Sequence, residues 1–260
     1  MVVLPPGTVP GRNSKETEMA TRKSTATKVA HHVIEDPWGV FLSVAAYVRR
    51  ILLHSEAPGT GKTSAGRALA EARGYDYVAV TLAETTQVTD LLGHLMPVGP
   101  DEWAWHDGPI AAAIRRGRTV IALNDLPNGG ADVQHVCYSL LEAGKNAVIT
   151  LSNGEVLPIP NSVVIVASQN PKPEETLTPA VISRFQVVLD IGDNVSPMLL
   201  DALPDHLRSM VADHRMAARE AFALLDLVAE GCPPFAAVQA VLGTERARDY
   251  GDALAIALAS

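Results

Sequence analysis

The residues best equipped for chemistry lie in HSEAPGTGKT, residues 54–63. Gly59, Thr60, Gly61, Lys62 and Thr63 match the end of the phosphate-binding pattern G-x-x-x-x-G-K-[ST]. In that pattern backbone N–H groups wrap a β-phosphate, the lysine reaches the β and γ phosphates, and the hydroxyl joins a Mg2+ shell. Pro58 leads into this nest and Ser64 leaves it, so the candidate nucleotide-binding set runs from Pro58 to Ser64. Glu56 stands where the pattern has its first glycine. If φ must be positive there, the side chain costs about 1–2 kcal/mol, but the donors behind it are intact.

Such a loop works only between a strand and a helix. ILLHS, short and apolar, reads as the buried strand before it, and SAGRALAEARG as the helix after it, closed by Gly74. Upstream, DPWGVFLSVAAYVRR places Trp38, Phe41, Leu42, Ala45 and Val48 at helical spacing behind the start signals Asp36 and Pro37. Downstream, YDYVAVTL, TVIALND and SVVIVASQN read as further strands, alternating with the helices GPIAAAIRRG and ADVQHVCYSLLEAG, the latter ending in Gly144. Continuously apolar strands in this alternation imply a parallel sheet covered on both faces. In AVITLSNGEVLPI, Asn153-Gly154 between apolar runs predicts a hairpin. From Ser196 onward four helical stretches follow and strands are not expected: MLLDALPDHLRSMVADHRM, REAFALLDLVAEG, FAAVQAVLG and ERARDYGDALAIALA.

Composition bounds the answer. The 260 residues are 47% hydrophobic, enough for one or two domains with a sizeable core. A net charge of −8 argues against a general nucleic-acid or membrane-surface binder. Residues 1–30 carry five basic residues against Glu16 and Glu18, and are expected to be a flexible basic leader. Cys137 and Cys232 stand far apart without metal spacing, and no apolar run reaches 18 residues, so a soluble, cytoplasmic protein is expected.

Several separated segments, in order, resemble the AAA+ ATPases, specifically their MoxR-like and dynein-related (midasin-like) branch. Besides the phosphate loop, these are TDLLGHLMP, WHDGPIAAAIRRG, VIALNDLPNGGADVQHVCYSLLEAG, IVASQNP, LTPAVISRF and GTERA. The resemblance implies an α/β fold with a doubly wound parallel-sheet P-loop NTPase core, residues 31–192, followed by a small all-α lid domain, 193–260. It implies ATP and Mg2+ as cofactors, and a homo-oligomeric ring of six subunits that remodels a protein client or works through an adaptor.

Carried onto this chain, the resemblance makes Asn170 the sensor that orients the attacking water and Arg184 the arginine finger for the neighbouring subunit. Arg246 becomes the lid arginine on the γ-phosphate, with Arg248 as the alternative. The family's metal-and-base pair, Asp-Glu, is Asn124-Asp125 here. Thr63, Asn124 and Asp125 are then the metal candidates, with Asp125 also the candidate base. Losing one charge beside the metal costs up to about 4 kcal/mol at an effective dielectric near 20. Asp125 is a methylene shorter than glutamate, and misplacement on the order of 1 Å costs about 10²-fold in rate. An ATP-binding assembly switch with slow or no hydrolysis is therefore the alternative, particularly if Asp125 itself serves the metal. A small-molecule kinase is disfavoured, because it needs neither the SRF arginine nor a lid arginine.

Trp103 and Trp105 are expected to pack on the sheet and Asp107-Gly108 to form a turn. His31, His32 and His135 lack partners at metal spacing. The Asn153-Gly154 hairpin is the candidate contact for a client.

Overall fold

The computed structural model describes residues 36–142, 144, 147–170 and 177–259. The leader, with His31 and His32, lies outside them. Helix α1 (Pro37–Ala45) starts where the Asp36 carboxylate accepts the Gly39 N–H at 2.8 Å and Pro37 presets φ. Then come β1 (Arg50–His54), α2 (Lys62–Arg73), β2 (Asp76–Thr81), α3 (Val88–Leu92), β3 (Gly93–Gly99), β4 (Glu102–Asp107), α4 (Pro109–Arg116) and β5 (Thr119–Asn124). They are followed by α5 (Ala131–Leu140), β6 (Val148–Thr150), β7 (Val156–Pro158), β8 (Val164–Gln169), α6 (Pro179–Ile182) and β9 (Val187–Asp190). Four helices follow: α7 (Pro197–Leu200), α8 (Asp205–Ala212), α9 (Ala218–Ala229) and α10 (Pro234–Ala259).

Five strands form one parallel sheet in the order β2-β5-β8-β1-β9. Central β5 and β8 are buried at every position, which is why their sequences are apolar without alternation. The period of two still divides their side chains. Ile121, Leu123, Ile165 and Ala167 join one core with residues of α3, α4 and α5, whereas Val120, Val164 and Val166 join another with α1 and α2. The sheet is therefore doubly wound, and His54, Asn124 and Gln169 end their strands along one edge. α8, α9 and α10 bury a third cluster of their own, including Leu207, Val211, Leu224, Val238 and Leu254.

The structure departs from the sequence-based expectations in several places. β9 was not foreseen; its pairing with β1 adds an edge strand. Residues 93–107 form an antiparallel hairpin rather than packing flat, so Trp103 is 63% exposed while Trp105 stays half-buried against the core. Asp107 is no turn residue: it ends β4, accepts from Trp105 Nε1 at 2.7 Å and pairs with Arg115. α5 stops at Leu140, short of Gly144, and MLLDALPDHLRSMVADHRM divides at Pro204, which precedes α8. The Asn153-Gly154 hairpin forms as expected, Gly154 at φ +87 joining β6 to β7. Between FAAVQAVLG and ERARDYGDALAIALA, Gly243 adopts a non-helical φ of 76 and ψ of 165 inside the span of α10. Among the described residues, no helix is long and apolar enough to cross a membrane.

Candidate functional site

β1 delivers the chain to the strand ends, and the loop Ser55–Gly61 turns it into α2. Gly59 (φ +78) and Gly61 (φ +99) make that turn in backbone regions that a side chain resists. At Gly61 a Cβ would also lie 2.6 Å from Ser196 Cβ and 3.0 Å from Leu199 Cδ1, so the approach of α7 depends on its absence. Ser196 N–H donates to Thr60 O at 2.9 Å, tying the helical region to the loop. α2 carries no side-chain cap, so its first N–H groups are left for an anion.

These donors open on a cavity of about 290 Å³. Of the residues expected at the site, Gly59, Thr60, Gly61, Lys62, Thr63, Ser64, Asp125 and Asn170 line it. The Lys62 ammonium is buried and donates to Ala57 O at 3.1 Å, Thr60 Oγ1 at 3.3 Å and Ser55 O at 3.4 Å. Burial pushes its pKa down to about 8; the carboxylate of Asp125 works against that shift, and Arg219 adds to it. A desolvated ammonium held only by neutral oxygens gains strongly from an incoming phosphate.

Asp125 follows β5 with φ 54 and ψ 46, a left-handed conformation that aspartate tolerates better than most residues. Its N–H reaches the hydroxyl of buried Ser168 at 3.4 Å. Asn170 follows β8, and its Oδ1 is buried with no hydrogen-bond partner among the described residues. A buried amide oxygen left unpaired costs about 1–3 kcal/mol, and a bound water or ligand in the cavity would remove that cost.

Pro58, Asn124, Arg184 and Arg246 do not line the cavity. Asn124 is buried as the last residue of β5, paired in register with Thr81. β5 ends at Asn124 and the chain leaves the extended conformation at Asp125, and of the two it is Asp125 that lines the cavity. Arg246 is engaged by Glu220, with Nη1 to Oε1 at 2.5 Å and Nη2 to Oε2 at 3.0 Å, and donates to Arg215 O. The structure thus places Arg246, expected as the lid arginine, on Glu220 rather than at the cavity. Arg184 lies against Tyr138 and Glu142, away from its own chain's cavity. Glu56 is exposed and faces a separate pocket with His54, Asp190 and Asp193. Its φ is not positive, so the expected backbone cost does not arise.

Sequence reasoning missed Arg219, Ser168, Leu199 and Phe222, all of which line the cavity. Arg219 carried a signal. It sits in the first turn of α9, where the helix dipole disfavours a cation unless an anion is nearby. The start of α9 also reaches the phosphate loop, since a Cβ on Gly59 would lie 3.9 Å from Ala218 N.

Among the described residues no group of three His, Cys, Asp or Glu side chains converges on a metal position. Of the metal candidates, Thr63 and Asp125 line the cavity, where the only carboxylate among the described lining residues is that of Asp125 and the other oxygen donors are neutral. That sparse set fits Mg2+, which keeps several waters and takes its remaining ligands from substrate phosphates.

Residues 57–185 match the family model for the AAA domain (dynein-related subfamily). The chain is similar to midasin from Giardia intestinalis, 31% identical over 150 residues covering 56% of this chain and 3% of that protein. It is also similar to midasin from Dictyostelium discoideum, 31% identical over 149 residues, 54% of this chain and 2% of that protein. The chain thus spans a few hundredths of the length of these relatives. A crystal structure of a candidate ATPase from Cytophaga hutchinsonii matches with a TM-score of 0.44 and 20% identity, over 59% of this chain and 44% of that one.

Proposed function

Since the chain belongs to the AAA+ ATPases through its dynein-related AAA domain at residues 57–185, we propose that it binds and hydrolyses ATP in a homo-oligomeric, six-membered ring that remodels a protein partner. The observation that carries this reading is the convergence of the uncapped start of α2, the desolvated Lys62 and Arg219 on one cavity. All three favour a polyanion, and no other group of the cavity except Asp125 is anionic.

In this reading the N–H groups of Gly59 to Thr63 hold the β-phosphate and Lys62 moves from its carbonyl acceptors to the β and γ phosphates. Thr63 and Asp125 would hold Mg2+, which neutralises phosphate charge when bound. Asn170, whose Oδ1 lacks a partner among the described residues, orients the attacking water. Arg219 replaces Arg246 as the arginine of the lid, residues 193–260, that reaches the γ-phosphate. Arg184 serves the neighbouring subunit, which agrees with its distance from its own cavity. The hairpin β6–β7 is the proposed client contact, and a cytoplasmic location belongs to the same proposal.

One observation favours a second reading, an ATP-dependent assembly switch with slow or absent hydrolysis. Asp125 is the single carboxylate among the residues lining the cavity, and one carboxylate cannot be both metal ligand and general base.

Steady-state phosphate release by the purified chain, with Lys62→Ala and Arg184→Ala beside it, tests both. Turnover per subunit that rises with protein concentration and disappears in either variant supports the ring ATPase. Tight ATP binding without release at any concentration overturns it in favour of the switch. Phosphate transfer to a metabolite by a monomer would overturn both.

A further inference from the structure

Arg184, two residues beyond α6, does not project freely. Its guanidinium carbon lies 4.8 Å from the centre of the Tyr138 ring, and its Nη1 donates to Ala180 O at 2.7 Å. Nε is buried without a hydrogen-bond partner among the described residues and stands 3.6 Å from Glu142 Oε2. The Tyr138 hydroxyl in turn lies 3.0 Å from Thr178 Oγ1. Thr178 is the N-cap of α6, its side chain accepting from Val181 N–H. The ring of His135, one turn earlier on α5, packs 5.6 Å from that of Tyr138.

One side chain on α5 therefore touches the start of the helix that precedes Arg184 and lies under its guanidinium. A long arginine two residues beyond the end of a four-residue helix has many rotamers to sample. Stacking on an aromatic face, where the ring quadrupole attracts the cation, selects among them. The stacked side chain is still 34% exposed, so a second chain can reach it.

We propose that Tyr138 is a positioning residue for Arg184: its hydroxyl sets the start of α6 and its ring holds the guanidinium in the plane presented to a neighbouring subunit's nucleotide. The inference rests on the ring reading above. Geometry is what such an arginine supplies, because displacement on the order of 1 Å from the transferring phosphoryl group loses much of its effect.

The test is the steady-state kinetics of the full chain above its assembly concentration, for wild type, Arg184→Ala, Tyr138→Leu, Tyr138→Phe and the double variant Tyr138→Leu/Arg184→Ala. Tyr138→Leu is expected to lower kcat about tenfold with KM for ATP within about twofold, since the bound chain's own cavity is untouched. Tyr138→Phe keeps the ring and stays within about threefold of wild type. In the double variant Tyr138→Leu adds nothing to the loss from Arg184→Ala. Tyr138→Met, which fills similar volume without a ring, carries the same expectation should the leucine variant not fold. Wild-type kcat in Tyr138→Leu beside a strongly lowered kcat in Arg184→Ala overturns this inference alone, as does a further loss in the double variant measured on the residual single-turnover rate of Arg184→Ala. Unchanged kcat in Arg184→Ala overturns the ring reading and this inference together.

Discussion

Arg246 and Glu220 form a paired contact that anchors the first turn of α9: two hydrogen bonds join them, and Glu220 also accepts the N–H of Ala217 at 2.9 Å. The contact with Arg246 holds the Glu220 carboxyl below its ordinary range. The neighbouring residue, Arg219, is then the one turned to the nucleotide cavity.

Arg219→Ala should weaken ATP binding about 10- to 100-fold, the value of a hydrogen bond to a charged group. Arg246→Ala should change affinity less than about tenfold and instead lower stability by about 1 kcal/mol or less, because the pair is partly exposed. Calorimetric ATP titration and thermal melts of both variants measure this. The reverse ranking would return Arg246 to the γ-phosphate.

The pKa of Lys62 sets a pH dependence. In the free protein it loses its proton near pH 8, against about 10.5 for an ordinary lysine. This group alone therefore makes the unliganded fold more stable as pH rises from about 8 to about 10.5, where the unfolded chain still holds the proton. Binding runs the other way. Phosphate needs the ammonium, so ATP affinity should fall by up to about tenfold per pH unit above 8, with proton uptake on binding. Calorimetry in buffers of different ionisation enthalpy detects that uptake, and its absence at pH 8.5 would overturn a Lys62 that is neutral when free and charged when bound; loss of affinity in Lys62→Ala tests the contact itself.

Asn124 and Asp125 should separate in mutagenesis. Asp125→Asn keeps a side chain that tolerates the left-handed backbone but removes the cavity's carboxylate, and should cost at least about 10²-fold in turnover. Asn124→Asp should leave turnover within about twofold and destabilise the fold by about 1–3 kcal/mol, because it places a charge at a buried strand end. Phosphate release and thermal melts decide. A several-fold gain in turnover would place Asn124 at the metal.

Arg115 joins the two hairpins. Its Nε donates to Asp107 Oδ2 at 2.7 Å, and Nη1 and Nη2 donate to Glu155 Oε1 and Oε2 at 2.7 and 2.6 Å. Both carboxyls are held below their ordinary range by it. Arg115→Ala should raise amide hydrogen exchange in β6–β7 and in the root of β3–β4 together, leaving the parallel sheet unchanged. A rise in one hairpin alone would show that they are not coupled.

What the sequence determined by itself was local. Gly59 to Thr63 between an apolar strand and an amphipathic helix specify a phosphate loop, because two glycines, an uncapped helix start and a lysine are sufficient chemistry within ten residues. The parallel sheet was legible for a similar reason, since burial on both faces writes itself into β5 and β8 as unbroken apolar runs. Only the tertiary structure decided which distant side chains meet that loop. Arg219 and Arg246 are 27 positions apart, both in helical sequence, and their roles depend on which helix start faces Gly59 and which arginine finds Glu220. Asn124 and Asp125 are adjacent, yet a strand end turns one inward and the other toward the cavity. Trp103 looked like core and stands in solvent, because an antiparallel hairpin lifts it off the sheet. Periodicity encodes which residues are buried within an element, whereas the angle between elements is set by long-range packing that no short window contains.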